Sequence, residues 1–360
     1  MRICLILEGC YPYIFGGVST WMHQYINEMK EHEFVLWVIG ANAKDKGKFV
    51  YELPKNVVEI HEVFLDDALR LKDSGKMLHA FTEEETNSLK ELMLCRRPNW
   101  EILFRLYHDQ KLNPMSFLRS EEFLNILTEC CIKDYPYTPF ADAFHTMRSM
   151  LLPVLYLMGS EVPKADVYHA ICTGYGGLLA CLGGYVYKKK VLLTEHGIYT
   201  REREEEIIRA KWVQPAFKKQ WISFFYMLSD IIYTRAFLVS ALFTNAMHGE
   251  LRKHSHAREQ ERPGVGTCAP IPVLFVTRGL INKFSQLSPG SLFIVWVSAM
   301  KQASHTHKLF TLRRKKGTGG RSSGLRQPYV TSHAKTAAGL RPQRFYFSQL
   351  TAEPHPSWRS

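Results

Sequence analysis

From residue 262 to residue 352 the chain carries no aspartate and no glutamate. Globular sequence is roughly a quarter charged with both signs mixed, so 91 consecutive residues without an acid stand apart from it. Only three of the 34 acidic residues lie beyond position 250, namely Glu259, Glu261 and Glu353, against 18 of the 46 Lys and Arg. The net charge of +12 therefore belongs to the last third; residues 1–250, with 28 basic and 31 acidic side chains, are close to neutral. This argues against nucleic acid as the partner of the body. The tail also lacks the aromatic interleaving or repeated basic motif that specific nucleic-acid binding would use. Long apolar runs are missing as well. The stretch 222–247 is broken by Asp230 and Arg235, and Leu292 to Met300 is far short of the ~20 residues that span a bilayer. Arg2 leads straight into an apolar run with no small-residue cleavage site, unlike a secretory signal. A soluble, cytoplasmic protein is the expectation.

The eight cysteines (Cys4, Cys10, Cys95, Cys130, Cys131, Cys172, Cys181 and Cys268) show no CxxC spacing, which argues against a disulfide scaffold and a zinc ribbon. Several sit in apolar runs, as buried reduced thiols do. The pairs His254/His256 and His305/His307 have no supporting carboxylates, so no metal is expected.

What is present begins with a short unbroken apolar run, Ile3 to Leu7, as in a strand covered on both faces of a parallel sheet. Val18, Trp21, Met22, Tyr25, Ile26 and Met29 then repeat at helical spacing. Between them stand two adjacent glycines, Gly16 and Gly17, in a strand–loop–helix order that opens a βαβ unit. There a glycine either makes a tight turn or lets the backbone approach an anion at the helix N-terminus. Gly-Gly-Val is no full dinucleotide or P-loop fingerprint, so both readings stand. The spacing predicts strands over 3–9, 34–41 and 57–64 and a helix over 18–30. Residues 66–150, punctuated by Pro98, Pro114, Pro136 and Pro139, read as a helical insertion. The α/β rhythm returns with a strand over 166–171, a glycine loop at 173–177, an apolar helix to Tyr187 and a strand over 191–194. A charged helix from about Arg201 follows, and the apolar segment 222–247 carries a further helix and the strand Leu238 to Phe243.

In such a sheet ligands bind beyond the carboxyl ends of the strands, where three segments fall: 8–19, 172–177 and 195–201. Glu195 and His196 stand at a strand end, able to hydrogen-bond hydroxyls or move a proton; alternatively Glu195 caps the next helix. Tyr199, Arg201 and Arg203 add a donor and two fixed cations suited to phosphate or hydroxyl groups; the alternative, favoured from Arg203 onward, is a solvated face with i,i+4 pairs. Gly16, Gly17, Glu195 and His196 are expected to meet in one cleft, because both segments end strands of one sheet.

The stretches "ICLILEGCYPYIFGGVSTWMHQYI", "VIGAN", "YELPKNVVEIHEVFL", "YHAICTGYGGLLACL" and "LLTEHGIYTRERE" together resemble the PelF-like glycosyltransferases of the retaining GT4 group, over about residues 1–250 and including the insertion. The resemblance implies an α/β architecture: 1–250 as the Rossmann-like N-terminal, acceptor-side domain of a GT-B enzyme, with the insertion at 66–150. It implies a cytosolic transferase of Pel exopolysaccharide (biofilm) synthesis that moves a sugar from a UDP-sugar to a growing polysaccharide acceptor. It needs no cofactor beyond that donor substrate, and it implies partners among the inner-membrane Pel synthesis proteins. On this resemblance Gly16, Gly17 and Val18 lie against the donor diphosphate and His196 faces the transferred sugar, with Glu195 beside it. Tyr11, Ser19, Gly176, Tyr199 and Arg201 are the remaining substrate-binding candidates.

Residues 251–360 depart from the family. Its second domain carries an Arg/Lys pair and two glutamates seven apart, a spacing that Glu259, Glu261 and Glu353 do not provide. The tail reads either as disordered and basic or as the product of a shifted frame or wrong joint, which we favour. The chain alone is then expected to be inactive or impaired. A non-catalytic binding or scaffold role in the polysaccharide machinery is the alternative.

Overall fold

Apolar runs flanked by amphipathic helices fold here as seven parallel strands. A computed structural model describes residues 1–72, 79–241 and 273–275. The strands are β1 (Arg2–Glu8), β2 (Glu33–Gly40), β3 (Val57–Phe64), β4 (Val167–Ala170), β5 (Lys190–Glu195), β6 (Leu238–Ala241) and β7 (Val273–Phe275). They lie in the order β3-β2-β1-β4-β5-β6-β7, every neighbouring pair parallel. The chain starts in the middle, works outward to β3, and returns to the other side of β1 at β4. The carboxyl ends of β1 and β4 therefore flank a topological switch point, the place where doubly wound sheets take their ligands.

Strand alternation sorts side chains into two cores. Ile3, Leu5 and Leu7 pack with Met22, Tyr25 and Ile26 of α1 (Gly17–Glu28). Cys4 and Ile6 join the larger core on the opposite face. That core takes α7 (Gly174–Tyr187), α8 (Tyr199–Arg209) and α9 (Lys218–Arg235). Glycines let α7 lie unusually close: a Cβ on Gly183 would stand 2.4 Å from the Tyr168 ring. The insertion also belongs to this face. It forms α2 (Glu83–Met93), α3 (Trp100–Phe104), a π-helical turn (Arg105–Asp109), α4 (Pro114–Leu118), α5 (Glu121–Asp134) and α6 (Phe140–Met158). Thr82 and Glu85 close a capping box on α2, and Ser120 caps α5.

The α/β class expected from the pattern and the Rossmann-like order implied by the resemblance are therefore present, with shifted boundaries. The helix expected over 18–30 ends at Glu28, and the insertion's last helix continues past 150 to Met158. The charged helix starts two residues before Arg201, which brings Tyr199 into its first turn. Strand β6 is described to Ala241; positions 242–243 of the expected strand lie outside the described residues. So does the basic tail apart from β7, a strand the sequence pattern gave no sign of. The disorder and frame-shift readings of that tail, the two histidine pairs and Cys268 fall outside the described residues. Among the described residues no helix is long and apolar enough to cross a membrane, and no group of ligating side chains could hold a metal.

Candidate functional site

At the switch point the first polar side chain is the one that ends β1. Glu8, half-buried, accepts the Gly176 N–H at 3.2 Å, the Tyr199 hydroxyl at 3.3 Å and the Cys172 thiol at 3.8 Å. Burial pushes its carboxyl up from the ordinary value; the nearby Arg203 guanidinium, the Gly176 N–H and the Tyr199 and Cys172 donors pull it back. Glu8 thus ties the start of α7 to the start of α8. It also puts a carboxylate at the N-terminus of α7, where a bound anion would otherwise sit. Gly174 makes the fit possible: its φ is +64°, and a Cβ there would stand 2.3 Å from the Tyr199 hydroxyl.

Helix α1 is different. Its N-cap is Gly16, no side chain caps it, and its first turn holds no acid. Ser19 is fully buried in that turn, and its Oγ has no hydrogen-bond partner among the described residues. Neither glycine is demanded by the backbone. Gly16 is extended (φ 176°, ψ 173°), and a Cβ on Gly17 would meet nothing within 4 Å. The tight-turn reading of the glycine pair therefore has no support in the conformation. The loop ahead of the pair is held by its own aromatics. Tyr11 is buried, with its hydroxyl 3.2 Å from His23 Nδ1 and its ring against Tyr51. Tyr13 donates to Glu62, and the Val50 N–H donates to the Pro12 carbonyl.

The strand end at 195–196 sends its two side chains to opposite faces, as alternation requires. Glu195 is buried and accepts the Tyr233 hydroxyl from α9. His196 lies edge-on to Trp21 of α1, ring centroids 4.7 Å apart, and its Nε2 has no partner among the described residues. Burial pulls the His196 imidazole down to about 4, so it is neutral at pH 7.

Of the candidates named from sequence, Gly16, Gly17, Val18 and Ser19 form the start of α1, and His196 is brought against that same helix. Gly176 and Tyr199 meet on Glu8, and Tyr11 lies under the loop. Glu195 points to the other core. Arg201 is 71% exposed in an i,i+4 pair with Glu205, whereas Arg203 is buried, paired with Glu206 at 2.8 Å and stacked near the Tyr199 ring. The solvated face thus takes Arg201, and the site takes Arg203. Glu8 is not singled out by sequence, and Arg203 is weighed as a cation but reads as part of the solvated face. The available signal for Glu8 was an acid closing a buried strand at the switch point; for Arg203 it was the i,i+4 spacing to Tyr199 and Ile207.

Two cavities, of about 510 and 700 Å³, lie away from this edge, one beside β3 under the insertion and one beside Lys188 and Lys189. Residues 1–258 match the family model described as "Domain of unknown function (DUF3492)". No curated protein matches the chain.

Proposed function

The chain belongs to the DUF3492 family, and from that premise we propose that it is the acceptor-side half of a PelF-like retaining GT4 glycosyltransferase, which moves a sugar from a UDP-sugar to a growing exopolysaccharide. The observation that carries the reading is the uncapped, acid-free N-terminus of α1 at the β1/β4 switch point. Two glycines form that N-terminus, Gly16 in an extended conformation open to any residue and Gly17 in open space.

Each group has a task in such a transfer. As the glycosidic bond to UDP breaks, charge grows on the leaving diphosphate. Backbone N–H groups of the first turn of α1, aimed with the helix dipole, stabilise that charge without reorganising. A Cβ at Gly16 or Gly17 would hold the diphosphate away. His196, neutral and pressed on Trp21, offers a ring nitrogen to a sugar hydroxyl rather than a second charge. Glu8 occupies the N-terminus of α7 and so leaves α1 as the anion site. The donor-binding glutamates of the family's second domain have no counterpart after residue 250, so binding by this chain alone is weak and turnover low. Inner-membrane Pel synthesis proteins are the proposed partners.

The test is calorimetric titration of UDP and UDP-sugars into the wild-type chain and Gly17→Val. The open space around Gly17 means the variant folds unchanged, so a loss of affinity reports blocked approach. Equal affinity in both proteins would show that the loop does not face the donor.

A further inference from the structure

On the face of the sheet that α1 covers, three polar side chains interrupt an otherwise aliphatic surface. His169, Thr194 and Ser240 come from β4, β5 and β6, flanked by Val167, Leu192 and Leu238. All three are buried, His169 completely. His169 Nε2 is 2.8 Å from Thr194 Oγ1, Thr194 Oγ1 is 2.7 Å from Ser240 Oγ, and Ser240 donates to the Leu193 carbonyl at 3.3 Å. The last bond fixes the direction of the rest. Ser240 has spent its proton on the carbonyl, so Thr194 donates to Ser240, and His169 donates from Nε2 to Thr194. His169 Nδ1 is then left to accept, and the Tyr25 hydroxyl stands 3.5 Å from it, at the limit of hydrogen bonding.

From Tyr25 the contacts run back to the site. Its ring stacks on Trp21 at 5.1 Å, with the ring planes 18° apart, and Trp21 meets His196 edge-on. His196 is two residues along β5 and its turn from Thr194. The contacts therefore close a loop: His169, Tyr25, Trp21, His196, Thr194 and back to His169. It joins the second and third turns of α1 to the end of β5 across the intervening β4. Three aliphatic side chains would cover this surface without burying polar atoms. A chain that served the sheet alone would also end on the sheet, whereas this one continues onto α1.

We propose that His169 is a positioning residue: through Thr194 on one side and Tyr25 on the other, it sets α1 against β5 so that the α1 N-terminus and His196 face the same ligand. The inference rests on the reading of that edge as the donor site, and its test separates the two.

The first measurement needs no ligand. Histidine ¹H–¹⁵N NMR of the wild-type chain will show His169 as the neutral Nε2–H tautomer. His196, held in its buried slot, will titrate with a midpoint far below the ordinary histidine value of about 6.5. Thr194→Val keeps both imidazoles and the side-chain shape but cuts the chain. In it the His196 midpoint will move up toward the ordinary value as the imidazole loosens from Trp21. His169→Phe will do the same, and His169→Gln, whose amide N–H reaches Thr194, will restore the wild-type midpoint. The second measurement is UDP affinity by calorimetry, expected to fall by about tenfold in Thr194→Val and His169→Phe and to stay near wild type in His169→Gln. An unchanged His196 titration in Thr194→Val overturns the positioning role, whatever the binding result. No UDP binding by wild type, together with the expected NMR shifts, overturns the donor reading and leaves the positioning role standing. If His169→Phe fails to fold, Thr194→Val alone decides.

Discussion

Mild acid should weaken this fold, and the imidazoles of His169 and His196 should be the main cause. Burial first, and the neighbouring His196 second, pull the His169 imidazole down to about 3, whereas in the unfolded chain it titrates at about 6.5. Between those values the unfolded state binds a proton that the folded state refuses, so stability falls as pH falls through that window. The slope is about 1.4 kcal/mol per pH unit for one such group, so acidification from pH 6.5 to 5 removes about 2 kcal/mol. His196, held at about 4, adds a loss of the same sign and nearly the same size down to pH 5, because neither folded imidazole takes up much proton above that pH. Glu8 works in the opposite sense. Its folded carboxyl is raised, so it takes up a proton in the folded state first and offsets part of the loss. Against a total stability of about 5–15 kcal/mol, the net change is large enough to measure. Urea unfolding at pH 7, 6 and 5 should show a falling midpoint in wild type. His169→Phe should start lower, having lost its hydrogen bonds, but decline less steeply, by about half, because His196 still titrates. Glu8→Gln should decline more steeply than wild type. If His169→Phe and wild type lose stability in parallel from pH 7 to 5, the imidazole is not the proton acceptor and the buried neutral chain is wrongly assigned.

Two further expectations concern packing. Arg201→Ala should leave stability within about 0.5 kcal/mol, as exposed i,i+4 pairs contribute little. Arg203→Ala should cost about 1–3 kcal/mol by uncovering buried partners; equal effects in thermal unfolding would contradict the buried placement of Arg203. Gly183→Ala should destabilise by about 1–3 kcal/mol through overpacking against Tyr168, measured as a lowered urea midpoint. A neutral or stabilising result would show that α7 can move off the sheet.

The sequence alone determined the element types and most of their order. Ile3 to Leu7 could only be a strand buried on both sides, and the Val18–Met29 stripe could only be a helix with one covered face. These signals are local: period, propensity and punctuation act within a dozen residues. The return of strand–helix alternation after the insertion likewise announced β4, β5 and their helices before any contact was known. The glycine pair could be found in the sequence but not explained there. Its meaning depended on Gly16 being extended and Gly17 standing in open space, and both are facts of conformation.

Tertiary structure decided which side chains share a face and which share a partner. Glu195 and His196 are neighbours in sequence, yet strand alternation turns one to Tyr233 and the other to Trp21. Arg201 and Arg203 differ by two positions on a helix, about 200° of rotation, and that rotation is why one is solvated and the other buried. Glu8 and His169 lie within stretches that carry the family resemblance, but no spacing or period marked either one. Their roles arise from partners 25 to 191 residues distant in sequence, brought within hydrogen-bonding reach only because β1, β4 and β5 lie side by side. Periodicity in a chain records how each element meets its surroundings; it does not record which distant element those surroundings are.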